Sequence, residues 1–198
     1  MDSKLRKKII KEWTDNLPLD KKIIVLFEKV RDIPYGSIGS RNPKDVYENN
    51  KGTCSGKHEL LKGLYEELGI KVKDFVVEHS FNDLKVKFPD EIKEILKRNE
   101  ILDVHNILKI FNNGKWAIVD ATWDKPLKKL GFIVNDSWDV KSDMEICVVS
   151  RQIKEVENPI KFKEQKLEEL PASIKENRKL FLKRLTEWLD NLRQNKEI

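Results

Sequence analysis

The stretch "DVHNILKIFNNGKWAIVDATWD", residues 103 to 124, decides how this chain is read. Two runs rich in β-branched and aromatic residues flank Asn112-Asn113-Gly114, a turn sequence that joins antiparallel strands. The exact turn sets the register. A two-residue Asn113-Gly114 turn puts His105 opposite Thr122, with Asp120 as its diagonal neighbour on the same face; an Asn112-Asn113 turn puts His105 directly opposite Asp120. A three-residue loop sends the two side chains to opposite faces, because strand side chains alternate. The expectation is a two-residue turn that brings an imidazole and a carboxylate together.

A thiol stands upstream of that pair. "GTCSGKHELLKGLYEELGI", residues 52 to 70, carries Leu60, Leu61, Leu64 and Leu68 at helical spacing, with Gly69 as a C-terminal stop. The helix is expected to begin at Cys54. A helix N-terminus has unpaired amides and a partial positive charge, so it favours a thiolate over a thiol and can hold an oxyanion. Cys54 is thus a candidate nucleophile. His105 is its candidate base, and Asp120 the group that orients the imidazole.

The rest of the chain predicts helices and strands around these pieces. Leu5, Ile9, Ile10, Trp13 and Leu17 mark a first amphipathic helix over 4–17, stopped by Pro18; Asp20 reads as the N-cap of a second, reaching about Arg31. "DIPYGSIGSRNP" reads as an extended loop, with a helical turn near "PKDVYENN". "IKVKDFVVEH" predicts a strand, "FPDEIKEILKRN" a short helix, and "GFIVNDSW" and "EICVVS" two more strands. Residues 151 to 171 read as a polar, irregular connector. After Pro171 a last helix aligns Ile174, Phe181, Leu185, Trp188, Leu189 and Leu192, and it is expected to pack on the core beside the first helix.

Composition bounds the function. With 198 residues the chain can bury one sizeable core without disulfides or a metal. Its 39 Lys and Arg against 34 Asp and Glu give a net charge of +5, but the signs are interleaved, which argues for a solvated surface and against a nucleic-acid partner. No apolar run approaches membrane-spanning length and "MDSKLRKKII" lacks the pattern of a secretion signal, so no membrane partner is expected. Two cysteines, Cys54 and Cys147, suit a reducing, cytoplasmic setting. Cys147, within "EICVV", reads as a buried structural residue.

At the Cys, His and Asp positions the sequence resembles the transglutaminase-like superfamily. The matching pieces are "GTC" opening a helix that ends in "ELGI", "VHNILKIFNNGKW" with His at a strand start, and "WAIVDATWD" with Asp after the next strand. "IPYGSIGSRNP" is a weaker upstream match. The resemblance implies an α+β, papain-like transglutaminase core over 33–150, with a nucleophile helix packed on an antiparallel sheet. N-terminal helices over 1–32 and a connector and C-terminal helix over 151–198 complete a single domain. It also implies acyl transfer by Cys54, His105 and Asp120, with no cofactor and no metal. The chain departs from many relatives at Ile107, at Ala121 and at His58, where a small residue is common. Tyr35 and Tyr47 are candidates for a second oxyanion donor, because no upstream Trp or Gln stands at a recognisable position.

Rival readings attach to single residues. His58, one helical turn from Cys54, reads either as a satisfied histidine at the core edge, as an alternative base, or as half of a zinc pair completed by His79 and His105. The first is favoured, because paired metal-ligand spacings are missing. Trp116 shares the strand parity of Asp120 and is a candidate shield for the dyad; Trp123 reads as core. The reading is a thiol-dependent enzyme hydrolysing a peptide or other amide bond. Its alternatives are an amine-accepting transglutaminase and an inactive module that binds a protein partner.

Overall fold

The hairpin forms in the two-residue register. In the computed structural model, which describes residues 1–198, Asn113 and Gly114 both stand at positive φ, 50° and 83°. These are the conformations a type I′ turn requires and Asn-Gly tolerates. Four strands, β1 (Lys71–Ser80), β2 (Leu102–Asn112), β3 (Lys115–Val119) and β4 (Gln152–Val156), lie in the order β3-β2-β1-β4. Every neighbouring pair is antiparallel. Leu108 pairs with Val119 and Asn112 with Lys115, and β1 sets Val77 opposite His105. Asp120 follows β3 directly.

Seven helices surround the sheet: α1 (Ser3–Thr14), α2 (Leu19–Arg31), α3 (Pro43–Asn49), α4 (Cys54–Glu67), α5 (Asp90–Arg98), α6 (Pro159–Glu168) and α7 (Ala172–Gln194). The fold is α+β, with an antiparallel sheet between two apolar clusters. Leu108 and Ile110 join Ile9, Phe27, Leu61 and Leu64 from α1, α2 and α4. Ile107, pointing the other way, joins Ile92, Ile95, Trp123, Phe181, Leu185 and Leu189 around α5 and α7. Burying a large apolar side chain stabilises the fold by roughly 1.5–3 kcal/mol, so both clusters hold the sheet rigidly. No helix is long and apolar enough to cross a membrane.

Close packing fixes the start of α4. A Cβ on Gly56 would stand 2.7 Å from Val46 Cγ2, and one on Gly52 2.9 Å from Val46 Cγ1. The glycines flanking Cys54 therefore let α3 press against the first turn of α4, which a larger residue would push away.

Several expectations are corrected. Pro18, and not Asp20, stands at the N-cap of α2; Asp20 lies in its first turn, where a carboxylate still favours the helix dipole. "GFIVNDSW" and "EICVVS" are irregular. Phe132, Cys147 and Val148 are buried there, but β3 meets this segment through isolated contacts, such as Met144 N–H to Ile118 O at 3.1 Å, and no ladder forms. The connector over 151–171 is instead regular, holding β4 and α6. It shows no apolar stripe because its buried residues include Lys163. The last helix packs with α5 in the second cluster, while α1 belongs to the first.

Candidate active site

Three segments meet at the N-terminus of α4. "IPYG" runs beside "GTC" through a short parallel bridge between Tyr35 and Gly52, with Gly36 N–H donating to Gly52 O and Gly52 N–H to Pro34 O, both at 3.2 Å. Thr53 caps α4 in extended conformation without a side-chain capping bond. Cys54 N–H has no acceptor within the chain. The helix thus presents free donors beside a thiol that is 5% exposed.

The hairpin supplies the imidazole and carboxylate. His105 Nε2 lies 2.7 Å from Asp120 Oδ2, and the ring stands close enough to the Cys54 thiol for each to shift the other's pKa. The structure therefore brings all three sequence-predicted residues together. Asp120 is fully buried, and three further donors hold it. Cys147 N–H donates to Oδ2 at 2.8 Å, and the Thr122 hydroxyl and amide donate to Oδ1 at 2.7 and 3.2 Å. Cys147 thus contributes its backbone, and burial pushes its thiol well up.

Electrostatics favour a charged pair. Burial alone would raise the Cys54 pKa, but the Lys163 ammonium and the hydrogen bond and charge of His105 outweigh it and bring the thiol down to about 6. Burial alone would lower His105; the charge and hydrogen bond of Asp120, then Cys54, push it up to about 10. Asp120 would be raised by burial, but His105, His58 and Thr122 hold it well below the usual carboxylate range. These shifts all favour the charged forms, a thiolate beside an imidazolium held by a carboxylate.

Lys163 carries no sequence signal as a site residue. Its side chain is 5% exposed and reaches from α6 to Asp103, with Nζ 3.0 Å from Oδ1. It also donates to Val104 O, next to His105, at 2.7 Å. Arg178 of α7 donates to the same Asp103 oxygen at 2.9 Å. Asp103 was hidden as well, being one more acid in a charge-rich chain until β2 places it two residues from His105. The signal that would have found Lys163 is a helix whose central lysine replaces an apolar residue.

The remaining histidines are buried. His58 Nε2 accepts the Ala121 N–H at 3.0 Å, so Nδ1 carries the proton and donates to Cys54 O at 2.8 Å. Burial lowers its pKa to about 4. With both ring nitrogens engaged, His58 braces the start of α4 against the end of β3 and has no free lone pair for zinc or for base chemistry. His79 is also buried, and burial lowers it to about 3.

Tyr35 lines the same site and stacks on Trp123, centroids 4.1 Å apart. Burial, then the Cys54 charge, raises its hydroxyl well above the ordinary range, so it stays a proton donor. Tyr47 lies elsewhere, its hydroxyl donating to Glu12 at 2.9 Å. Trp116 is no shield: it is 37% exposed beside Phe111 at the turn end of the hairpin.

A cleft of about 520 Å³ opens beside Thr53, the residue before Cys54, and is lined also by Tyr35, Asp103, Lys163 and Arg178. A larger hollow of about 790 Å³ lies between Asp32, Lys128 and Arg193, and neither hollow is lined by Cys54, His105 or Asp120 themselves. No family model and no curated protein matches the chain. Among solved structures it is similar to "a Putative Cysteine Protease from Cytophaga hutchinsonii", with 18% identity and a TM-score of 0.44, over 78% of this chain and 50% of that one. The chain spans about half the length of that protein.

Proposed function

We propose that the protein is a thiol-dependent acyl-transfer enzyme on a papain-like, transglutaminase-type core, hydrolysing a peptide or other amide bond. The observation that carries this reading is His105, whose Nε2 lies 2.7 Å from Asp120 Oδ2 while its charge acts on the neighbouring Cys54 thiol. All of it sits at a helix end with a free amide.

In this reading the Cys54 thiolate attacks the carbonyl carbon, and the C–S bond forms as the carbonyl electrons move to oxygen. The Cys54 N–H and the Tyr35 hydroxyl donate to that oxyanion. The His105 imidazolium gives its proton to the leaving nitrogen, the C–N bond breaks, and a thioester remains. Water then attacks, His105 takes its proton, and the C–S bond breaks to release the acid and restore the thiolate. Asp120 keeps the ring oriented and stabilises its charge throughout. Near-complete burial of Cys54, at 5% exposure, favours a second reading, a non-catalytic module that binds a partner over a closed cleft.

Iodoacetamide labelling of Cys54 against pH, resolved from Cys147 by peptide mass spectrometry, tests between them. Labelling that stays fast well below pH 8 in wild type and slows in His105→Ala supports the enzyme, as does peptide hydrolysis lost in Cys54→Ser. Labelling at the rate of a model thiol in both proteins favours the module.

A further inference from the structure

We propose that the cleft beside Cys54 is an anion subsite, selecting acyl substrates that carry a carboxylate close to the scissile carbonyl. The proposal rests on the reading of Cys54 as the nucleophile and names the substrate class of that site.

The argument begins with charge. Asp103 is the one carboxylate on the cleft floor, and it faces two cations: Lys163 at 3.0 Å and Arg178 at 2.9 Å. All three side chains are largely buried, with 5%, 5% and 15% of their surface exposed for Asp103, Lys163 and Arg178. Within this trio the two cations outnumber the one carboxylate. At the rim Arg41 and Glu164 pair with each other at 2.9 Å and neutralise themselves, so they do not alter that balance.

Donor accounting points the same way. The Lys163 ammonium has three N–H groups and spends two, on Val104 O and on Asp103. Arg178 has five donors; its Nη2 reaches Asp103 at 2.9 Å, and its Nε is buried with no acceptor at all. Buried donors in native proteins are nearly always satisfied, so unpaired ones lining a cleft mark where an acceptor binds. Lys163 and Arg178 both line the same cleft as Thr53, the residue before Cys54. A wall on which two cations share one carboxylate suits a singly charged carboxylate better than a phosphate dianion. The volume of about 520 Å³ suits a peptide residue or two. The carboxylate is either an acidic side chain or a free chain terminus.

The test compares two alkylating reagents of nearly equal size, iodoacetate and iodoacetamide, on the full chain at neutral pH. Any change in thiolate content alters both rates alike and cancels from their ratio, so the ratio reads the charge preference of the cleft alone. In wild type it is expected to exceed that of a model thiol by roughly tenfold, the effect of about one nearby unit charge. Because the His105 imidazolium also attracts an anion, the variants decide. Arg178→Gln and Lys163→Met should each lower the ratio several-fold, while Arg178→Lys should keep it. Unchanged ratios in both neutralising variants would overturn the subsite. Iodoacetamide labelling at the rate of a model thiol would instead overturn the nucleophile reading, so the two failures are distinct. A protection arm then separates the sources of carboxylate. Millimolar N-acetyl-alanyl-aspartyl diamide slows iodoacetamide labelling if the side chain is read, and N-acetyl-alanyl-alanine free acid slows it if the terminus is read. Protection by neither also overturns the proposal.

Discussion

Lys57 and Lys163 are both buried lysines within reach of the candidate site, yet their surroundings give them opposite tasks. Lys57, closing the first turn of α4, is fully buried and spends all three N–H groups on carbonyls: Arg31 O and Ile33 O at 2.8 Å and Thr122 O at 2.7 Å. Burial lowers its pKa to about 8, which still leaves an ammonium at neutral pH. It ties α4 to the "IPYG" loop and to the end of the hairpin, and every donor is used. Lys163 spends two donors and shares its carboxylate with Arg178. A saturated buried cation is scaffold, whereas an unsaturated one beside a cleft is available to a neighbour. Here the neighbour is a thiol, whose pKa the Lys163 charge helps to lower.

The difference can be broken by exchange. Lys57→Met should be the most damaging change in the chain, because three buried carbonyls lose their donor at once. A loss on the order of 3–5 kcal/mol is expected, read as the urea midpoint and thermal midpoint of unfolding. Lys163→Met should cost less, about 1–3 kcal/mol in the same assay, since Asp103 keeps Arg178 and the Val104 N–H. Equal losses from the two variants would erase the distinction between scaffold and site.

The pH profile sharpens it. The folded pKa of Cys54 is depressed, so its thiolate is present above about 6 and is lost as pH falls through that value. The folded pKa of His105 is raised, so its imidazolium is present below about 10 and is lost as pH rises through it. The charged pair therefore occupies the window between them, and iodoacetamide labelling should switch on near pH 6, against about 8.5 for a free cysteine. In Lys163→Met the midpoint should move up, as a thiolate loses a nearby cation. An unmoved midpoint would show that the ammonium does not act on the thiol.

The smallest effect is expected at the far end of the hairpin. Trp116→Ala removes a ring that is 37% exposed and rests on Phe111, and it should cost no more than about 1 kcal/mol. Cys54 labelling should not change, since the ring lies at the turn and away from His105 and Asp120. A slowed or shifted labelling profile in this variant would restore Trp116 to the site.

Local chemistry in the sequence determined much of this protein. Asn113-Gly114 dictated the turn, because few residues tolerate two successive positive φ angles, and the turn dictated which face His105 and Asp120 share. The leucine stripe after Cys54 placed the thiol at a helix start. Those inferences rest on interactions spanning a few residues, whose signal survives in the one-dimensional chain. The tertiary structure alone decided the rest. It left 131–150 without a strand, since β3 offers that segment scattered contacts and no ladder, and it made a helix of part of the polar connector. It also joined Asp103, Lys163 and Arg178 across stretches of 60 and 15 residues, where no periodicity links them. In a chain with 73 charged side chains, which cation becomes buried beside the thiol is set by how α6 and α7 close over the sheet. Composition cannot encode that choice, because the free energy of a charge depends on its surroundings.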